Sequence, residues 1–130
     1  MKPTLINLLA IGSGGFIGSI ARYLLSTAVQ NQLKPEQFPI GIFVVNILGC
    51  LLIGFLAGLF ELKSWMNVEL RLFVFVGLLG GFTTFSTFAN DTFLLGKQGE
   101  MLAALINSGG QVLVGLLCVW LGYLLTRLLS

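Results

Sequence analysis

The sequence predicts an all-α integral membrane protein of four transmembrane helices, on three observations. Of its 130 residues 56% are hydrophobic and only 9% charged, against about 25% charged in an ordinary soluble domain. The charges are unevenly placed and leave four uncharged runs, Pro3 to Ala21, Gln37 to Phe60, Leu72 to Asn90 and Met101 to Thr126. Each run approaches or exceeds the roughly 20 residues a helix needs to cross a hydrocarbon core about 30 Å thick. Backbone amides in lipid must be paired internally, and nothing here alternates with the period of a barrel strand, so the runs can be satisfied only as helices.

The first helix is predicted from about Thr4 to Val29 and is read as a retained span, since no small-residue cleavage site follows it. Gln30 to Pro39 is a polar loop in which Pro35 and Pro39 interrupt helix geometry. The second helix begins near Pro39 and leaves the membrane at Glu61, Lys63, Ser64, Trp65 and Asn67, a polar stretch with an aromatic of headgroup type. The third spans about Val68 to Leu95. After the turn Gly96 to Gly99 the fourth continues to about Arg127, with Tyr123 near its interfacial end. No soluble domain is appended, no nucleic-acid partner is expected, and function must be exercised within or across the bilayer.

Gly14 and Gly18, Gly54 and Gly58, and Gly77 and Gly81 form small-xxx-small pairs, whose ordinary use is close helix packing. The cluster Gly12 to Gly18 fails the dinucleotide G-x-G-x-x-G spacing at Ile17. Cys50 and Cys118 lie inside spans and the chain has no His. Disulfide, zinc and Cys/His catalytic readings therefore lack their raw material, and no nucleophile and base pair for an intramembrane enzyme can be named.

Four crossings put both termini on one side. Lys2, Lys63, Arg71 and Arg127 then fall on the side of the termini, and Arg22, Lys34 and Lys97 on the other. With the Lys and Arg bias that normally orients a membrane protein nearly absent, the chain is expected to insert both ways round and to pair as an antiparallel homodimer. Fixation in one orientation by a single loop charge or a biogenesis factor is the alternative.

Several residues cost energy inside the membrane. Gly80-Gly81-Phe82-Thr83-Thr84-Phe85-Ser86-Thr87-Phe88 lies around the centre of the third run, where two glycines and two β-branched threonines weaken helix propensity. Two arrangements are compatible with it, a continuous helix with a glycine packing face or a break whose carbonyl oxygens face a cation. Phe85 and Phe88 are three residues apart, as are Thr84 and Thr87, so that aromatic and hydroxyl stripes adjoin. Asn46, near the centre of the second span, demands a hydrogen-bond partner, either another helix or an anion. Arg22 either snorkels to the interface or draws anions into a vestibule, and Asn107 and Ser108 offer interhelical bonds from the fourth helix. No carboxylate lies within the core of any run, which disfavours proton-coupled transport.

The third-helix segment resembles the G-G-x-[ST]-T-F-S-T-F signature of the CrcB/Fluc fluoride channels. Val45-Asn46-Ile47-Leu48-Gly49 is similar to that family's V-N-x-x-G segment, and Gly14-Gly15-Phe16-Ile17-Gly18 followed by Arg22 to its glycine-rich first helix. The resemblance covers essentially the whole chain. It implies passive fluoride export across the bacterial inner membrane, relieving fluoride toxicity, by an antiparallel dual-topology homodimer with a break in the third helix. A structural sodium ion (Na+) at the dimer centre would be held by main-chain oxygens of Gly80 and Thr83 from both subunits. The pore would be lined by Asn46, Phe85, Phe88, Ser86, Thr87 and Ser108, with Arg22 in the vestibule. The fourth helix departs most from the family pattern, with Asn107-Ser108-Gly109-Gly110 bringing Ser108 to the pore position. A small dual-topology multidrug-type transporter is the rival class, but it needs a carboxylate deep in the first span and Pro3 to Ala21 contains none.

Overall fold

A computed structural model describes residues 2–63 and 66–129, and the expectation for Ser64 and Trp65 at the interface lies outside them. Among the described residues the chain is helical and without strands: α1 (Leu5–Leu33), α2 (Ile40–Leu62), α3 (Val68–Arg71), a π-helical segment (Leu72–Leu79), α4 (Gly80–Phe82), α5 (Phe85–Lys97) and α6 (Met101–Leu129). Four helical spans, Leu5–Leu33, Ile40–Leu62, Val68–Lys97 and Met101–Leu129, are long and apolar enough to cross a bilayer. The protein is a multi-pass membrane protein.

The first helix is one turn longer than the sequence predicts. Thr4 caps its start by accepting from the Asn7 N–H at 3.3 Å, and Lys34 ends it in the left-handed conformation at φ 40°, donating its N–H back to Gln30. The Gln30 side chain then bridges the loop, donating to Phe38 O at 3.1 Å and accepting from Gly41 N at 3.0 Å. Pro39 is the N-cap of α2, and Pro35, directly after the Lys34 cap, bars further helix at the end of α1.

Packing follows the rule for helices in lipid, where burying leucine against leucine gains little over leaving it in acyl chains, and close backbone contact and polar bonds take its place. Fully buried positions are few and include Val45, Asn107 and Thr126, whereas leucines such as Leu5, Leu102, Leu113 and Leu128 point outward. All three glycine pairs serve as packing surfaces. A Cβ at Gly14 or Gly18 would run into the backbone of the π-helical segment or of Leu78 and Phe82, and one at Gly77 or Gly81 into α1 at Gly14 and Gly15. Gly54 and Gly58 lie against Val119 and Thr126 of α6.

Thus α1 packs on the π-helical segment and α4, and α2 packs chiefly on α6. The second seam is sealed by Thr126, whose hydroxyl donates to Phe55 O at 2.8 Å. At its end Tyr123 donates to Glu61 at 2.5 Å and Arg127 donates to Tyr123 at 2.6 Å, a polar staple where the helices meet the headgroups.

The third span is bent. Gly80, Gly81 and Phe82 remain helical, while Thr83 (φ −86°, ψ 158°) and Thr84 (φ −151°, ψ 116°) are extended. Thr84 is the N-cap of α5, its hydroxyl accepting from the Thr87 N–H at 3.3 Å, and an N-cap needs non-helical backbone angles.

Candidate functional site

Extended backbone in the middle of a membrane span leaves peptide groups that must find partners elsewhere. Asn46 of α2 supplies them. Its Oδ1 accepts from Thr84 N–H at 2.9 Å and its Nδ2 donates to Thr84 O at 3.1 Å, so one side chain satisfies both main-chain groups of the N-cap residue. The second N–H of Nδ2 donates to Gln111 Oε1 on α6 at 2.7 Å. Asn46 therefore joins three spans, and both amide donors are engaged within the protein.

Because Thr84 directs its N–H to Asn46, the Gly80 carbonyl four residues back does not receive it. Thr83 keeps a helical bond through its own N–H to Leu79 O at 2.9 Å, and its hydroxyl donates to the same oxygen at 2.9 Å. Its carbonyl accepts from Arg22 Nη1 at 3.3 Å. Arg22 thus reaches inward to the bend. Two main-chain oxygens of residues that line one cavity, Gly80 without the Thr84 N–H and Thr83 shared with a guanidinium, are hard neutral ligands of the kind an alkali cation takes. Among the described residues no cluster of three His, Cys, Asp or Glu offers an alternative metal centre.

These groups face a cavity of about 340 Å³ that brings together Asn46, Gly80, Thr83, Phe85, Phe88 and Gln111. Among the described residues lining it none is a carboxylate. The Phe85 and Phe88 rings lie 5.4 Å apart, inclined at 58°. Phe85 is 78% exposed and forms the open side. Glycine at 49 is required here, because a Cβ would occupy the space of the Thr83 methyl group.

The remaining expected site residues are distributed differently. Ser86 and Thr87 are not on the cavity wall; Ser86 Oγ lies 3.4 Å from Thr84 Oγ1, which donates to Thr87 Oγ1 at 3.1 Å, and so the three hydroxyls are linked. Ser108 lines a separate hollow with Thr92, Phe93 and Lys97, and its hydroxyl turns back to Ala104 O at 2.9 Å.

Sequence reasoning missed Gln111, which is buried and bonded to Asn46. From Gln111 a chain of donors runs on: its Nε2 donates to Asn107 Oδ1, Asn107 Nδ2 to Thr92 Oγ1, and Thr92 Oγ1 to Phe88 O, each at 2.9 Å. The signal was present, for Asn107 and Gln111 stand four apart in an uncharged run and so share a helix face.

Residues 9–123 match the family described as CrcB-like protein, Camphor Resistance (CrcB). A protein of Nitratidesulfovibrio vulgaris named "Fluoride-specific ion channel FluC" is 42% identical over 116 residues, which cover 89% of this chain and 93% of that one. Proteins of the same name from Nitrobacter winogradskyi and Chlorobaculum tepidum are 41% and 43% identical, the first over 99% of this chain and 100% of its own length, the second over 94% and 95%. By the match over 9–123 and by these identities across nearly its full length, this four-span membrane protein belongs to the CrcB family.

Proposed function

We propose that this chain is a fluoride-selective ion channel of the bacterial inner membrane, passing fluoride down its electrochemical gradient and so lowering the cytoplasmic concentration of a toxic anion. The observation that carries the reading is the cavity at the bend of the third span. An amide, two phenylalanine rings and extended backbone converge there with no carboxylate among the described residues of the wall, in a chain 42%, 41% and 43% identical to three proteins named as fluoride-specific ion channels.

Fluoride holds its water strongly, and a narrow path must replace that hydration with donors. Asn46 Nδ2 is the amide donor at the site, the edges of Phe85 and Phe88 carry partial positive charge, and the N-terminal turn of α5 directs its dipole toward the same region. Ser86 and Thr87 extend the donor set through the Thr84 hydroxyl, with Ser108 further along the fourth span and Arg22 attracting anions from the vestibule. The larger and more weakly hydrated chloride gains less from such a path.

The working unit is an antiparallel homodimer. Support comes from the near balance of Lys and Arg between the two sides, from the 78% exposure of Phe85 at the open side of the cavity, and from the oxygen count. One chain supplies two of the proposed ligands, the Gly80 and Thr83 carbonyls, and a second copy across a two-fold axis doubles them. A sodium ion there would supply a fixed positive charge at the centre of an anion pathway. Thr83→Ser keeps the main-chain oxygen and retains the ion, and a competitive-ion experiment that finds no cation in the purified dimer removes this part of the proposal.

Liposomes loaded with fluoride or chloride and containing the purified protein test the function. Fluoride leaves, chloride stays, and an imposed proton gradient changes neither. Absence of fluoride efflux, or efflux that requires the proton gradient, overturns the channel reading.

A further inference from the structure

The direction of every hydrogen bond around Asn46 is determined by the groups at its ends. Thr84 N–H can only donate, so Asn46 Oδ1 must face it and Nδ2 must face Gln111. At the far end Phe88 O can only accept, so Thr92 donates to it and accepts from Asn107. Asn107 Oδ1 is thereby turned to Gln111 Nε2, and Gln111 Oε1 to Asn46. The relay leaves Gln111 one orientation, in which a carbonyl oxygen sits 2.7 Å from the amide donor of the cavity. That oxygen bears partial negative charge and stands at the distance an anion would take from the same N–H.

Gln111 is also the member of this relay able to leave. Asn46 is tied twice to the main chain of Thr84, and Asn107 is wholly buried. Gln111 lines the cavity and has an unbranched side chain, so a rotation into that space, which also gives up its Nε2 bond to Asn107 Oδ1, uncovers the Asn46 N–H.

We propose that Gln111 is a tethered stand-in for the anion: its Oε1 occupies the Asn46 donor when the site is empty, is displaced by fluoride, and returns when the ion moves on. The inference rests on the fluoride-channel reading of the cavity. A bare N–H in a membrane cavity is costly, and an internal acceptor removes that cost without blocking the site permanently. Displacement also discriminates, because fluoride, a compact full charge, is a stronger acceptor than an amide oxygen. Chloride gains too little at this donor to displace Gln111, which makes Gln111 a specificity-determining residue.

Gln111→Met keeps length and removes the acceptor. Single-channel currents in planar bilayers across a range of fluoride concentrations are expected to reach half-saturation at about two- to tenfold lower fluoride, the worth of one ordinary hydrogen bond, and chloride leak is expected to rise. Gln111→Glu, which keeps an acceptor on Asn46, raises the half-saturating concentration or leaves it unchanged. If the unmutated protein carries no fluoride, the channel reading fails and this inference with it. If the unmutated protein conducts, and an assembled Gln111→Met dimer has the same half-saturation and the same chloride exclusion, this inference alone fails. Should Gln111→Met not assemble, the unmutated channel decides by solid-state NMR, where the side-chain carbonyl resonance of Gln111 shifts between sodium fluoride and sodium chloride; identical spectra overturn the proposal.

Discussion

Replacing Asn46 by Ala removes the three bonds that hold the bend of the third span to α2 and α6. Hydrogen bonds between membrane helices are worth roughly 0.6–2 kcal/mol each. Three of them, on one side chain, amount to about 2–6 kcal/mol. The sum falls toward the lower end if water entering the open cavity satisfies Thr84 and Gln111, and toward the upper end if their groups remain unpaired. Equilibrium unfolding in mixed micelles, followed by loss of helix signal, measures the difference, with fluoride efflux recorded on the same preparation. A purely ion-binding Asn46 predicts loss of conduction at unchanged stability. If Asn46→Ala unfolds within about 0.5 kcal/mol of the unmutated protein, the load-sharing argument drawn from its bonds is wrong.

Phe85→Ile and Phe88→Ile keep bulk and apolarity but remove the ring quadrupole, so each is expected to lower fluoride efflux roughly three- to tenfold. Dimer content by size-exclusion chromatography stays unchanged, and near-normal efflux in both well-assembled variants refutes the pore role. Gly122→Ala inserts a methyl group 2.7 Å from Phe55 N and closer still to Leu51 O, an overpacking cost of about 1–3 kcal/mol. Gly109→Ala, with nothing within 4 Å of its Cβ, gains up to about 1 kcal/mol of helix propensity; thermal melts of the two should move in opposite directions. Tags on the termini are expected on both sides of the membrane, in keeping with four Lys and Arg against three. Labelling from one side only refutes dual insertion, and added loop lysines should bias it.

The sequence by itself determined the number of spans, because length and hydropathy of a run are one-dimensional quantities and the bilayer has one thickness. It also determined the family, through a motif around Gly80 to Phe88 and through Asn46, polar groups whose position at mid-membrane depth is too costly to be accidental. Its weaknesses were local and azimuthal. Low helix propensity pointed to Gly80, Gly81, Thr83 and Thr84 together, yet the two glycines stay helical, with α1 packed on the bare backbone of Gly81. The residues that take extended angles are Thr83 and Thr84, and Thr84 is the one whose hydroxyl can cap α5. The π-helical turn of Leu72–Leu79 leaves no mark in composition.

Ser108 and Gln111 illustrate what tertiary structure alone decided. Both are polar residues of the same uncharged run, three positions apart, and hydropathy assigns them similar depth. Only Gln111 is turned to the cavity, while Ser108 bonds to its own helix in another hollow. In a soluble helix an apolar stripe facing the core and a polar stripe facing water record the rotation of the helix in its sequence. Here lipid and protein interior are both apolar, so that record is nearly erased, and the rotation of each span is set by where glycine lets backbones touch and where amides find one another.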